Sequence, residues 1–144
     1  MKKLISLLLI LILIGVACGV WLDRSGTLVY SKSLQQEADD FLLHIRIEGV
    51  DEGVKILRSI QYIGEEDVEI THQSPLISVS IADDSHSFSG ESISKKMKKG
   101  TIYHQEEAVL PAQDKGIREL SIHAKFSCNK EEINIKHIEE LEFQ

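Results

Sequence analysis

The chain has 144 residues, 42% of them hydrophobic and 27% charged, with 9 Gly, 2 Pro and a formal net charge of −7. That length holds one domain of ordinary size and excludes a multidomain enzyme, while the apolar content excludes a disordered chain and the Gly and Pro counts exclude a collagen-like one. The acidic balance argues against nucleic acid as a partner, because gripping phosphates takes a basic face that releases counterions.

The apolar residues are unevenly spread. Met1-Lys2-Lys3 precedes Leu4 to Leu22, a run of 19 residues without a charge, closed by Asp23-Arg24. As a helix the run spans roughly 28 Å, about the hydrocarbon thickness of a bilayer. Residues 1–22 therefore read as an N-terminal hydrophobic helix, with Lys2 and Lys3 cytoplasmic, Trp21 an interfacial anchor and residues 23–144 extracytoplasmic. Three fates fit this segment. It is an uncleaved signal anchor; or a lipoprotein signal, since Ile14-Gly15-Val16-Ala17-Cys18 resembles a bacterial lipobox and makes Cys18 a lipid attachment site; or a signal peptide cleaved after Gly19. The lipobox resemblance has two departures: Gly15 stands where Leu is usual, and Val20-Trp21-Leu22 where a polar tether is usual. The first two fates hold the chain at the cell membrane, through residues 4–22 or through a lipidated Cys18.

Cys128 then has no partner within the outer domain, so the core must hold without an internal disulfide, and the residue reads as a buried thiol at a strand end. Beyond residue 22 there are 14 Lys and Arg against 23 Asp and Glu, a charge of about −9. Residues 23–40 read as a linker or a short helix. Leu34, Ala38, Phe41 and Leu42 have helical spacing, and Ser33 with Gln36 forms a capping box for a helix over 34–42. A polar linker running into the first strand fits equally.

From residue 41 to 144 the apolar period is 2, as in strands with one buried face. Phe41, Leu43, Ile45 and Ile47 alternate with polar neighbours; Asp51-Glu52-Gly53 turns the chain into Val54, Ile56, Ile60 and Tyr62. Gly64-Glu65-Glu66-Asp67 is a second turn, and strands follow at Val68–Ile70, Ile77–Ile81, Ser92–Met97, Thr101–Tyr103 and Ala108–Leu110. Leu120, Ile122, Ala124, Phe126 and Cys128 form the longest alternating set, which Asn129-Lys130 returns into Ile133, Ile135, Leu141 and Phe143. The pattern slips near His137-Ile138, which predicts a bulge. Together these runs predict an all-β antiparallel sandwich of 7–8 strands, preceded by the hydrophobic helix.

The strand, acidic turn and strand of Ser59 to Ile70, the Lys98-Lys99-Gly100 connection and the long final hairpin resemble the immunoglobulin-like sandwich domains of small membrane-anchored or lipoprotein-type proteins of Gram-positive bacteria. The resemblance covers roughly residues 40–144, lacks the Cys-Trp-Cys core of antibody domains, and implies a fold but no activity.

Catalytic, cofactor and metal signatures are absent from the sequence. The six histidines (His44, His72, His86, His104, His123 and His137) show no His-Glu-x-x-His spacing, although a final hairpin brings His123 and His137 near each other in chain. Asp83-Asp84-Ser85-His86 reads as a polar turn, without the spaced oxygens of a calcium loop. The one local reversal of sign is Lys95, Lys96, Lys98 and Lys99, a candidate contact for an anionic polymer or lipid headgroup, or equally a solvated hairpin whose lysines block edge pairing. The expectation is a membrane-tethered, extracytoplasmic binding or accessory module without catalysis, contacting an envelope protein. The alternative is a protease inhibitor presenting loop 83–91 or 104–107.

Overall fold

The computed structural model describes residues 25–144; the helix expected over residues 1–22, with Cys18, lies outside the described residues. Among those residues the chain is all β. Numbered along the chain, the strands are β1 (Lys32–Ala38), β2 (Phe41–Val50), β3 (Gly53–Tyr62), β4 (Val68–Gln73), β5 (Ile77–Ile81), β6 (Ser92–Met97), β7 (Ile102–His104), β8 (Ala108–Pro111), β9 (Gly116–Cys128) and β10 (Glu131–Phe143). They form two antiparallel sheets. One runs β1-β2-β3-β7 with β8 also on β3; the other runs β10-β9-β4-β6 with β5 also on β9.

Two of the ten strands are continuations of others. β4 and β5 lie one after the other along β9 (Ile70 opposite Cys128, Ile77 opposite Ala124), separated by a detour through the cis Ser74–Pro75 bond. β7 and β8 lie likewise along β3 (Ser59 opposite His104, Ile56 opposite Ala108). Counting each pair once leaves eight.

The helix or linker expected over 23–40 is instead part of the sheet. Residues 32–38 pair with β2 from Lys32 opposite Ile47 to Ala38 opposite Phe41. Leu34 and Ala38 are four apart, an even spacing that puts them on one face of a strand as well as of a helix, and both pack on the core. Asp39-Asp40 is the turn between β1 and β2, with Asp39 at φ 50°, a conformation that Asp tolerates better than most residues.

Alternation sets the core. Phe41, Leu43, Ile45 and Ile47 of β2 face Leu120, Ile122, Ala124 and Phe126 of β9 within one buried cluster. The Phe41 and Phe126 rings meet edge-to-face across it, centroids 4.8 Å apart, and Phe41 also contacts Tyr62 at 5.2 Å. Each such side chain contributes about 1.5–3 kcal/mol through burial. The final hairpin closes through Asn129 and Lys130, both at positive φ (51° and 68°), as a two-residue turn matched to strand twist requires.

The bulge expected near His137 does not occur: β10 pairs with β9 without a break from Glu131–Cys128 to Phe143–Gly116. The apolar alternation lapses because His137 and Glu139 take inward positions at the seam between β10 and β1. There Lys32 Nζ donates to Glu139 Oε1 at 2.6 Å and to the Glu140 carbonyl at 2.8 Å, and His137 Nε2 lies 3.1 Å from Glu139 Oε2. Inward charges of this kind also keep an edge strand from pairing with another chain.

The two ends of the fold differ. At one, the chain just ahead of β1 is bound to its C-terminus: Thr27 and Gln144 exchange backbone hydrogen bonds of 2.9 and 3.0 Å, Val29 N donates to Glu142 O at 3.0 Å, and Gly26 N donates to Gln113 O at 2.8 Å. The β2–β3 turn at Asp51-Glu52 and the Pro111–Gly116 connection share this strapped end. The turns at 39–40, 63–67, 98–100 and 129–130 gather at the other, open end.

Candidate functional site

The open end carries a cleft of about 660 Å³. Its inner surface is Phe41, Tyr62, Cys128 and Ile133, all buried core residues, together with Val68. Its mouth is Asp39, Asp40, Glu65, Glu66 and Glu131, all exposed, and its lining includes no lysine or arginine. At its inner wall β3 stops at Tyr62, whose hydroxyl donates to the Glu66 carbonyl at 2.6 Å and so folds the 63–67 turn back over the ring. Cys128 is a free, buried thiol at the end of β9, as the sequence predicts. Burial raises its pKa, and the neighbouring carboxylates of Asp40 and Glu131 add to the effect. A thiol held neutral in this way is a poor nucleophile.

The four candidate lysines do not converge. Lys95 occupies an inward position on β6 with its Nζ 5.3 Å from the centre of the Tyr103 ring, a cation–π arrangement. Lys96 stands opposite Glu69, on the other face of the strand. Lys98 and Lys96 line a shallow depression with Asp67 and Glu69, and Lys99 pairs with Glu65. Three of the four thus have a carboxylate as neighbour, which lowers the potential available to an external polyanion.

Loop 82–91 holds the constellation that sequence reasoning missed. It folds back over the outer face of β5 and β9, where alternation points Ser78, Ser121 and His123 outward. His86 is pinned there with its side chain only 8% exposed, Nδ1 2.9 Å from Ser78 Oγ and Nε2 2.9 Å from Ser121 Oγ. Ser121 Oγ donates to Asp84 Oδ1 at 2.6 Å. With its proton committed to Asp84, Ser121 accepts from His86 Nε2–H, and His86 Nδ1 accepts from Ser78. The order is Ser78, His86, Ser121, Asp84, with Asp84 Oδ1 also 3.3 Å from His86 Nε2; burial lowers the His86 pKa and so favours the neutral imidazole, against the pull of Asp84. The Asp84 carboxyl is held below its usual range by the Ser121 hydrogen bond, and Asp83 by that of Ser80. The loop is further fixed by Phe88 against the His123 ring (4.9 Å) and by Ser85 N and Oγ on Asp83 (3.1 and 2.9 Å). This is a clasp. Both imidazole nitrogens are taken by the chain's own serines under a covering loop, where a hydrolytic serine and its base must stand open to a substrate carbonyl.

Four of the other five histidines have local side-chain partners. His123 contacts Asn134 at 2.9 Å on the outer face, whereas His137 faces inward toward Glu139, so the final hairpin puts these two on opposite faces of the sheet. His72 is buried against the Tyr103 hydroxyl at 3.1 Å, and His44 sits between Gln35 and Gln61. Among the described residues no three His, Cys, Asp or Glu side chains come together as a metal site would require. Arg58 takes an inward position at the β7–β8 interruption, donating to the carbonyls of Ile77 and Glu106 and so tying the two sheets together. No family model matches the chain, and no curated protein is similar enough in sequence to match it.

Proposed function

We propose that this chain is a membrane-tethered, extracytoplasmic binding module of immunoglobulin-like order, without catalysis, that offers its open end to an envelope protein. The observation that carries the reading is the strap. The uncharged run ends at Leu22, and by Ser25 the chain already bridges to Asp114. A membrane anchor over residues 4–22, or a lipid on Cys18 a few residues further back, therefore leaves little free linker. The strapped end faces the bilayer and the cleft points away from it.

The strand order supports the immunoglobulin-like assignment. The chain makes β2 and β3 in one sheet, crosses for β4 to β6, returns for β7 and β8, and crosses again for β9 and β10, as Greek-key sandwiches of that type do. The inhibitor alternative draws less support. Loop 83–91 is clasped to its own sheet, and in loop 104–107 Gln105 N donates to Arg58 O at 3.0 Å while its side-chain oxygen accepts from Leu76 N at 3.3 Å. An inhibitory loop must instead offer free backbone to a protease cleft.

Photo-crosslinking in the native host tests the reading. A benzoylphenylalanine at Glu65, at the cleft mouth, should give a discrete adduct with an envelope protein, and one at Ile138, on the outer face, should not. Equal adducts at both positions, or none at Glu65, Asp40 and Glu131 in turn, would overturn it.

A further inference from the structure

Six large apolar residues are exposed among the described residues, and two of them form a row at the strapped end. Val29 lies opposite Glu142 in the strap, and Glu142 lies opposite Ile117 in the β9–β10 ladder. All three side chains share the outer face of that sheet, because their neighbours Leu28 and Phe143 face the core. Ile117 is 63% exposed and Val29 42% exposed. Two strand spacings separate them, about 9–10 Å. Tyr30, next in chain and 51% exposed, is not part of this row: its ring centre lies 5.2 Å from Lys32 Nζ, at the β1–β10 seam.

We infer that this corner, Val29 and Ile117, docks on the lipid surface of the membrane that anchors the chain. The inference rests on one form of the anchoring proposed above, the helix over residues 4–22, and adds to it a contact surface. Its warrant is the length of the leash. From Leu22 to Ser25 there are three Cα steps, at most about 11 Å, and from Ser25 onward the backbone is held by Asp114, Gln113 and Gln144. A fold leashed so closely to the end of a membrane run keeps its strapped end at headgroup depth, where aliphatic side chains gain by partial burial. The acidic domain is not drawn there by charge, and Glu142 stands within the row. The contact is therefore apolar and shallow, and the leash supplies the proximity that affinity alone would not.

Single-tryptophan quenching tests this. The full chain carrying Trp21→Phe is reconstituted into vesicles of phosphatidylcholine and phosphatidylglycerol (3:1), with phosphatidylcholine brominated high on the acyl chain replacing the ordinary lipid in a parallel sample. Ile117→Trp should be quenched severalfold more than Glu65→Trp at the open end, and its emission should be blue-shifted. Val29→Trp in the same background is the second reporter should Ile117→Trp lose the β-sheet circular dichroism of the parent. Quenching at 117 and 29 no greater than at 65, in protein that floats with the vesicles, overturns the docking surface while leaving the anchor standing. A blue shift that grows with protein-to-lipid ratio without quenching assigns the corner to a second copy of the chain and also overturns it. Protein that fails to float overturns the anchor and this surface with it.

Discussion

The strapped end and the open end of this sandwich are made from the same strands yet held in different ways. At the strapped end the backbone of residues 26–29 is hydrogen-bonded to residues 113 and 142–144, and Leu28 and Phe143 bury into the core. At the open end four turns meet, joined only by single main-chain bonds such as Ile63 N to Asp40 O and Gly100 N to Tyr62 O, both 2.8 Å, and their carboxylates stand around a cleft that no described residue fills. An end that is laced by main-chain bonds can bear a tether, and an end whose polar groups face water can be remodelled with little loss of stability. The division of labour proposed for the molecule follows from that difference.

The largest loss of stability is expected at the core that both ends share. Phe126→Ala removes the ring that meets Phe41 between the sheets and should cost about 3–5 kcal/mol, read as a lower midpoint in urea. A loss below about 1 kcal/mol would mean that the two sheets do not depend on this contact.

Two glycines separate the ends. At Gly53, at the strapped end, φ is +145° and an added Cβ would lie 2.1 Å from the Leu110 carbonyl oxygen, whereas at Gly100, at the open end, φ is +84° and nothing lies within 4 Å. Both substitutions to alanine strain the backbone by about 1–2 kcal/mol, and Gly53→Ala adds a collision with backbone that cannot yield. Thermal unfolding should therefore rank Gly53→Ala below Gly100→Ala, and the reverse ranking would contradict the packing assigned to the β2–β3 turn.

A smaller effect separates the clasp from both ends. Because the fold lowers the His86 pKa, it favours the neutral imidazole. The stability His86 provides is thus present above the ordinary histidine range and lost as pH falls below it. His86→Gln should shrink the loss of stability between pH 7.5 and 5.5 by about 1 kcal/mol or less, and an unchanged pH dependence would remove His86 as its source. The smallest effect is expected at the open end, where Asp40→Asn with Glu131→Gln should change stability by no more than about 0.5 kcal/mol while abolishing the crosslink at Glu65.

Much of this architecture is legible in the sequence, and the parts that are not have specific reasons. Strict alternation from Phe41 to Ile47 and from Leu120 to Cys128 identifies the central strands, since residues with one buried face leave a period of 2. β1 escapes because Leu34 and Ala38 satisfy both periods and because Asp39-Asp40 is an unremarkable pair until a turn is needed there. The seam of Lys32, His137 and Glu139 imitates a bulge, because inward positions at a sheet edge can be polar when a partner strand supplies the countercharge. The His86 clasp joins residues 35 and 8 positions apart in sequence, and no spacing rule links a loop to whichever strand it folds upon. The cleft is legible only in part. Its acidic turns are plain in the sequence, but their meeting at one end is a property of the sheet topology.

The intact mass of the protein extracted from membranes of its native host tests the proposed orientation. A tethered chain is expected: either the full unprocessed mass, or loss of residues 1–17 with a diacylglyceryl group on Cys18. A lipid-free chain beginning at Val20 would free the strapped end from the bilayer and contradict the orientation on which the proposed function depends.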